Sequence, residues 1–483
     1  VLVVVAAAAA FAAAGLLHAR RRRLSVEDYI SARQWAGTET TVASVMASAM
    51  GAWVLYSPAE AGTWGGLAAL VGYGLGSAAP MLALIPLGAR MRALIPHGHS
   101  LTEYVWVRYG RAMYGLAVAI MIFYMFVFLS AEMTGIALAV NLVARQPLPL
   151  TALLVGLATV LYTVYGGLPT TVFTDRLQAA VIVPLLALAF AGTVTVLGGP
   201  GAALESVRAG APALLSLSHP PGVEAAVTFV IAILAANLFH QGYWQRVYIA
   251  RDGRVLRRSF LLAAVLVVPI VILPGLLGVV AQVTGHAEVP SVAFFSLLLG
   301  VAPLWLLLGV LVLAVALAMS SIDTLLNGMA AVFTSDLARW RPAVGARPLL
   351  GWSRLITVGL ALAGIAVASR GYSVLYLFLL ADLLCAAAMV PVFLGLYVSK
   401  FSGWAAVTAT LAGIAAGATF FPDPAFTRGH LLTSFALAAA VPAVLSAVLI
   451  FASRPFALAQ IGRLVRPLGE PRGAAADQHE IIR

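Results

Sequence analysis

Apolar runs of about twenty residues recur from one end of the chain to the other, each closed by a short polar, glycine- or proline-bearing stretch. A helix needs roughly 20 mostly apolar residues to cross the hydrocarbon layer of a bilayer. By that measure the pattern predicts thirteen spans, at about 1–18, 39–62, 66–89, 112–143, 149–166, 171–196, 224–246, 259–284, 296–333, 351–369, 373–398, 402–420 and 431–452. The fourth and ninth exceed one bilayer thickness, so each extends beyond the membrane or hides a break. No segment alternates apolar and polar residues as a transmembrane β-barrel requires. The expected class is an all-α integral membrane protein.

The basic residues test this map independently, because short inner loops carry an excess of Lys and Arg. With the N-terminus outside, only Arg145, Arg208, Arg370 and Arg428 of the 29 fall on the outer side. The C-terminus is then inside. The chain is 62% hydrophobic and 10% charged, with a net charge of +11. In a soluble protein that charge would suggest nucleic acid. Here basic inner loops account for it, and no nucleic-acid partner is expected. The single cysteine, Cys385, excludes an intramolecular disulfide and a cysteine metal cluster. Residues 1–17 run into Arg20, Arg21, Arg22 and Arg23, the reverse of a signal peptide's order, so a retained first helix is expected. The stretch after Pro455 is short and polar, so no soluble domain is expected there.

Polar groups inside a span are costly and default to functional candidates. Ala43–Gly62 (ASVMASAMGAWVLYSPAEAG) carries Ser44, Ser48, Gly51, Ser57 and Pro58. That composition fits a broken helix with exposed carbonyls; close helix packing on small residues is the slightly preferred reading. Glu60 lies near its outer end. In the fourth span Glu132 is either structurally paired or part of a solute or proton path. Between spans five and six, Gly166, Gly167 and Pro169 predict a tight inner turn. Thr174 and Asp175 follow, as helix caps or on an ion path. Asn237, His240 and Gln241 sit at helical spacing among Phe239, Tyr243 and Trp244, a mixture that suits a small polar solute. An interfacial belt is the alternative for Tyr243, Trp244 and Arg246, and the preferred reading for Arg246. Leu317, Ser320 and Ser321 stand at i, i+3 and i+4, on one helix face. Two hydroxyls and a freed carbonyl make a hard-oxygen site for a small cation; hydroxyls bonded back to their own helix are the alternative. Asp323 and Asn327 continue the polar stripe.

Together these stretches resemble the sodium:solute symporter family, from Tyr29 to about Tyr397. The resemblance is carried by Tyr165 to Asp175 (YGGLPTTVFTD), by WQR at Trp244–Arg246, and by SSIDTLLN at Ser320–Asn327. It implies the 5+5 inverted-repeat fold shared with the leucine transporter. Residues 1–24 would add one span, 25–200 and 201–400 would form the two repeats, 401–455 would add two spans, and 456–483 would be a cytoplasmic tail. Solute sites in such folds lie near the midplane at broken helices. By resemblance the sodium ligands are the carbonyls of Ala47, Met50 and Leu317 and the hydroxyls of Ser320 and Ser321, with Asp175 on the inner ion path. Ala49 replaces an acidic residue of the proline-transporting branch, which counts against proline. HQGYWQR and Ala381–Pro391 (ADLLCAAAMVP) look most like the urea-transporting branch. Trp53, Tyr56, Glu60, Asn237, His240 and Gln241 are then the candidate solute contacts. Asn237 also resembles a sugar-contacting Asn of the sugar branch. No Arg is expected deep in the core to hold a carboxylate.

The expected function is sodium-coupled import of a small polar solute by alternating access, at the cell membrane. Urea or a similar neutral nitrogenous compound comes first; a monocarboxylate, amino acid or sugar is the alternative. The ion expected is sodium, and the partners are the solute and the bilayer, with no obligate protein partner. A transporter-fold sensor is a second class. A membrane-embedded enzyme is a third, for which only His97, His99, Glu103 and Arg108 cluster. That stretch reads more simply as a loop entering an amphipathic helix, so no enzyme is expected.

Overall fold

A computed structural model describes residues 2–20, 33–98, 100–340, 346–424 and 428–464. Arg21, Arg22, Arg23, His99 and the tail beyond 464 lie outside these residues. The α-helices are α1 (Leu2–Arg20), α2 (Thr38–Ala49), α3 (Ser57–Leu94), α4 (Leu101–Tyr109), α5 (Arg111–Ala144), α6 (Leu148–Val196), α7 (Gly199–Gly210), α8 (Pro220–Leu238), α9 (Gln241–Ile249), α10 (Gly253–Val283), α11 (Ala293–Val301), α12 (Leu304–Trp340), α13 (Ala346–Ala368), α14 (Val374–Leu394), α15 (Gly403–Ala418), α16 (Leu431–Ala452) and α17 (Ile461–Leu464). A single bridge between Ala36 and Ala250 is the only β-type pairing among the described residues. Ten helical segments among those residues are long and apolar enough to cross a membrane.

Two of the ten join expected spans: α6 takes up 149–166 and 171–196, and α3 takes up 66–89 with the end of 39–62. The joint in α3 is Gly66 (φ 59°, ψ −154°) and in α6 it is Gly167 (φ 53°, ψ −157°). Only glycine adopts such angles without a steric penalty. Tyr162 and Thr174, on either side of Gly167, both donate to Oδ2 of Asp323, at 2.7 and 3.2 Å. Twelve residues of straight helix would separate them by about 18 Å, so the chain folds back here, at the turn expected from Gly166, Gly167 and Pro169. Thr174 and Asp175 lie inside α6 and cap nothing.

The long ninth span hides its break between α11 and α12, at Ala302–Pro303. Proline has no N–H to continue a helix and turns its predecessor away from helical angles. The long fourth span is the continuous helix α5.

The polar stretches at 43–62 and 236–252 are both broken helices. The first ends at Ala49. Met50 (φ −102°, ψ 114°) and Gly51 (φ −117°, ψ −178°) are extended, a 3-10 turn covers Ala52–Leu55, and α3 begins at Ser57. In the second, α8 stops at Leu238, His240 is extended, and α9 begins at Gln241. The first break is followed by a long helix, a short one and another long one (α3, α4, α5), and after the second the same order (α10, α11, α12) follows the short helix α9. Around the breaks α3 lies against α8 and α10. The approach is backbone-close: a Cβ on Gly72 would overlap the backbone of Ala226, and one on Gly278 that of Ala59. Small residues let membrane helices pack this tightly.

Candidate functional site

The break after Ala49 leaves carbonyls without the helical partners they would otherwise have. Ser320 and Ser321 of α12 meet them. Ser320 Oγ donates to the Ala47 carbonyl at 2.9 Å, and Ser321 Oγ to the Met50 carbonyl at 3.2 Å. Four oxygens from two elements therefore converge, with Leu317 one turn earlier on the same face of α12. All five residues are buried. Oxygen ligands of this kind are what a small hard cation prefers. Among the described residues no three His, Cys, Asp or Glu side chains form a transition-metal cluster.

A charged network adjoins this oxygen cluster. Ser320 Oγ also lies 3.2 Å from Oδ1 of Asp175. The other oxygen, Oδ2, accepts from Arg246 at 2.8 Å and from Ser44 Oγ at 2.7 Å. Arg246 donates further to Ser44 Oγ and Thr324 Oγ1, both at 3.0 Å. Both partners of the ion pair are fully buried. This corrects the interfacial reading of Arg246, and with it the expectation of no deep arginine. Its guanidinium is spoken for: four elements, α2, α6, α9 and α12, meet on one ion pair. The signal was present in the sequence, since Asp175 and Asp323 inside apolar segments require a countercharge. Asn327 extends the network by donating to Thr171 Oγ1.

Beside the break lies a cavity lined by Ala49, Trp53, Tyr73, Tyr124, Phe128, Asn237, Tyr243, Phe378 and Asp382, among others. Trp53 stacks on Tyr73 with ring centres 5.7 Å apart, and Phe378 stands edge-on to Trp53 and to Phe128. Of the candidate solute contacts, Trp53 and Asn237 line this space. The other four are not among its lining residues. Tyr56 donates to the Gly135 carbonyl at 2.6 Å. Glu60 is buried and accepts from Ser373 Oγ. His240 Nδ1 accepts from the Gly242 N–H, capping α9. Gln241 Oε1 accepts from the Leu101 N–H. Sequence reasoning missed Asp382, Tyr73, Tyr124, Phe128 and Phe378. An acid inside an apolar span was the available signal for Asp382, by the rule that singled out Glu132.

Glu132 of α5 is bonded across to the first break. Its Oε2 accepts the Ala52 N–H at 2.6 Å, supplying the acceptor that the broken helix lacks. Gly51 makes room, for a Cβ there would overlap the Glu132 carboxyl. At the start of α4, Ser100 Oγ accepts from the Glu103 N–H, and Arg108 donates to the carbonyls of Gly395, Val398 and Ser399. This is the helix entry expected for that stretch.

A broken helix that meets a buried oxygen cluster and an adjoining cavity is the kind of arrangement found in secondary transporters. The chain belongs to the sodium:solute symporter family, whose model matches residues 29–413. It is a multi-pass membrane transporter, and its relatives are transporters, not enzymes. It is 26% identical over 419 residues to the spermidine transporter DUR31 of Candida albicans, covering 84% of this chain and 78% of that protein. It is 25% identical to the sodium/mannose cotransporter SLC5A10 of Bos taurus, over 68% of this chain and 64% of that one. A 157-residue segment, 30% of this chain and 20% of the other, is 27% identical to the urea active transporter of Saccharomyces cerevisiae. The fold is similar to that of a Na+-coupled sialic acid symporter solved substrate-bound and outward-open. The TM-score is 0.76 at 17% identity, covering 94% of this chain and 98% of that one.

Proposed function

We propose that this protein imports a small nitrogen-bearing solute together with sodium, by alternating access at the cell membrane. Sodium binds the carbonyls of Ala47, Met50 and Leu317 and the hydroxyls of Ser320 and Ser321. Asp175 stands on its inner path, and the solute occupies the cavity beside Trp53. The repeats are residues 25–200 and 201–400. The observation that carries this reading is the pairing of Ser320 with Ala47 and of Ser321 with Met50 across a helix break. The same break presents Trp53 to the cavity three residues after Met50, so an ion that orders one end orders the other. That is a direct route for coupling. A spermidine transporter and a urea transporter among the relatives support a nitrogenous solute.

The test is uptake into proteoliposomes with and without an inward sodium gradient. The panel is labelled urea, spermidine, proline, acetate, pyruvate and glucose. Sodium-driven accumulation of urea or spermidine is expected, and the Ser320→Ala, Ser321→Ala double variant should lose the sodium response. Equal uptake with and without sodium would sink the coupling. Accumulation of glucose or pyruvate alone would discard the nitrogenous solute.

A further inference from the structure

The cavity beside the first break holds a carboxylate that no described residue neutralises. Asp382, on α14, is 5% exposed, and its Oδ1 has no hydrogen-bond partner. No Lys or Arg lines the cavity. Arg246, the deep cation nearby in sequence to Tyr243, is engaged by Asp175, Ser44 and Thr324. Buried polar groups in native proteins nearly always have partners, and an unpaired buried carboxylate is strongly disfavoured. The walls around Asp382 are the rings of Trp53, Tyr73, Tyr124, Phe128, Tyr243 and Phe378. Aromatic faces carry negative charge density and attract cations, more so where water is excluded. A carboxylate and an aromatic box together form a receptor for an ammonium group.

Neutral urea fits this chemistry less well. It would engage the unbonded indole Nε1 of Trp53 through its carbonyl. It would still leave the charge of Asp382 without a countercharge. Asn237, which donates one Nδ2 hydrogen to the Ile233 carbonyl at 2.9 Å, is a neutral amide and supplies no countercharge.

We infer that the transported solute carries a protonated aliphatic amine, held by Asp382 within this aromatic box. The inference rests on the reading of the cavity as the solute site, and it replaces a neutral compound with a cationic one.

The experiment is binding of labelled spermidine to the purified full-length protein, with competition, alongside sodium-driven uptake in proteoliposomes. Spermidine should bind, n-butylamine or putrescine should displace it, and n-butyramide and urea should not. Displacement by butylamine means one ammonium group suffices; displacement by putrescine alone means the site requires a second. Asp382→Asn should weaken spermidine binding by about 100-fold, the scale for removing one partner of a buried charge pair. Its sodium-dependent protection against thermal unfolding should persist. Binding by Asp382→Asn within twofold of wild type, with the sodium response intact, overturns the inference. If that variant fails to fold, the wild-type competition decides: displacement by butyramide as readily as by butylamine also overturns it. Sodium-driven urea uptake without amine binding would keep the symporter reading and remove the amine site. Amine binding with sodium-indifferent uptake would do the reverse.

Discussion

Ser320 touches two systems at once: the Ala47 carbonyl on one side and the Asp175 carboxylate on the other. Through Asp175 the oxygen cluster is tied to the Arg246 ion pair, so one hydroxyl joins a neutral ion site to a charged network. Removing one member of a buried ion pair leaves a bare charge and typically costs about 3–5 kcal/mol. Arg246→Met should therefore destabilise strongly. Adding Asp175→Asn to it should restore much of the loss, which a double-mutant cycle of unfolding in detergent will show. Simple additivity of the two substitutions would mean that the pair is not coupled. The serines should behave differently. Neither carries a charge, so Ser321→Ala strands only the Met50 carbonyl and should lower stability in sodium-free buffer by about 1–3 kcal/mol, less than Arg246→Met. Its added stability on titrating sodium should disappear.

At the scale of elements, the broken helix at 50–51 is held open by a side chain from another helix. Glu132 of α5 accepts the Ala52 N–H. Glu132→Gln keeps an acceptor there and should fold. Glu132→Ala leaves a buried donor unsatisfied, at about 1–3 kcal/mol. Thermal unfolding of the two variants side by side checks this; equal stabilities would show that the bond contributes nothing. Gly51→Ala should be worse than either, since its Cβ would fall on the carboxyl. The fold-back in α6 rests on Gly167 at φ 53°. An alanine there carries backbone strain of about 1–3 kcal/mol. It also pulls at Tyr162 and Thr174, whose shared bond to Asp323 needs the turn. Reduced folded yield of Gly167→Ala, against an unchanged Gly115→Ala control in α5, is the expected outcome.

For the whole molecule the question is driving force. One sodium ion entering through ~100 mV supplies about 2.3 kcal/mol, and a tenfold gradient adds about 1.4 kcal/mol. At one-to-one coupling that concentrates a neutral solute roughly 500-fold. A singly charged amine gains the potential a second time, another factor of roughly 50. Clamping proteoliposomes at zero potential should therefore cut amine accumulation far more than it cuts that of a neutral solute. Accumulation that does not respond to the clamp would argue against charge movement.

The apolar runs determined the membrane class without help from any contact, because each backbone group in lipid must be satisfied inside its own helix. Local chemistry was legible too. Gly167 between two apolar runs announced the fold-back, Pro303 marks the hidden break of the ninth span, and the small polar residues of 43–62 allowed a broken helix. Leu317, Ser320 and Ser321 share a face by spacing alone. Which groups meet across the bundle was decided by tertiary structure. Arg246 reads as an interfacial residue until α2, α6 and α12 close around it with Ser44, Asp175 and Thr324. Glu132 reads as a lone acid until it finds Ala52, eighty residues away. Asp382 gains meaning only when rings from α3, α5, α9 and the first break stand around it. Helical periodicity is written within one segment of chain, whereas a charge takes its role from the partners that packing brings or withholds.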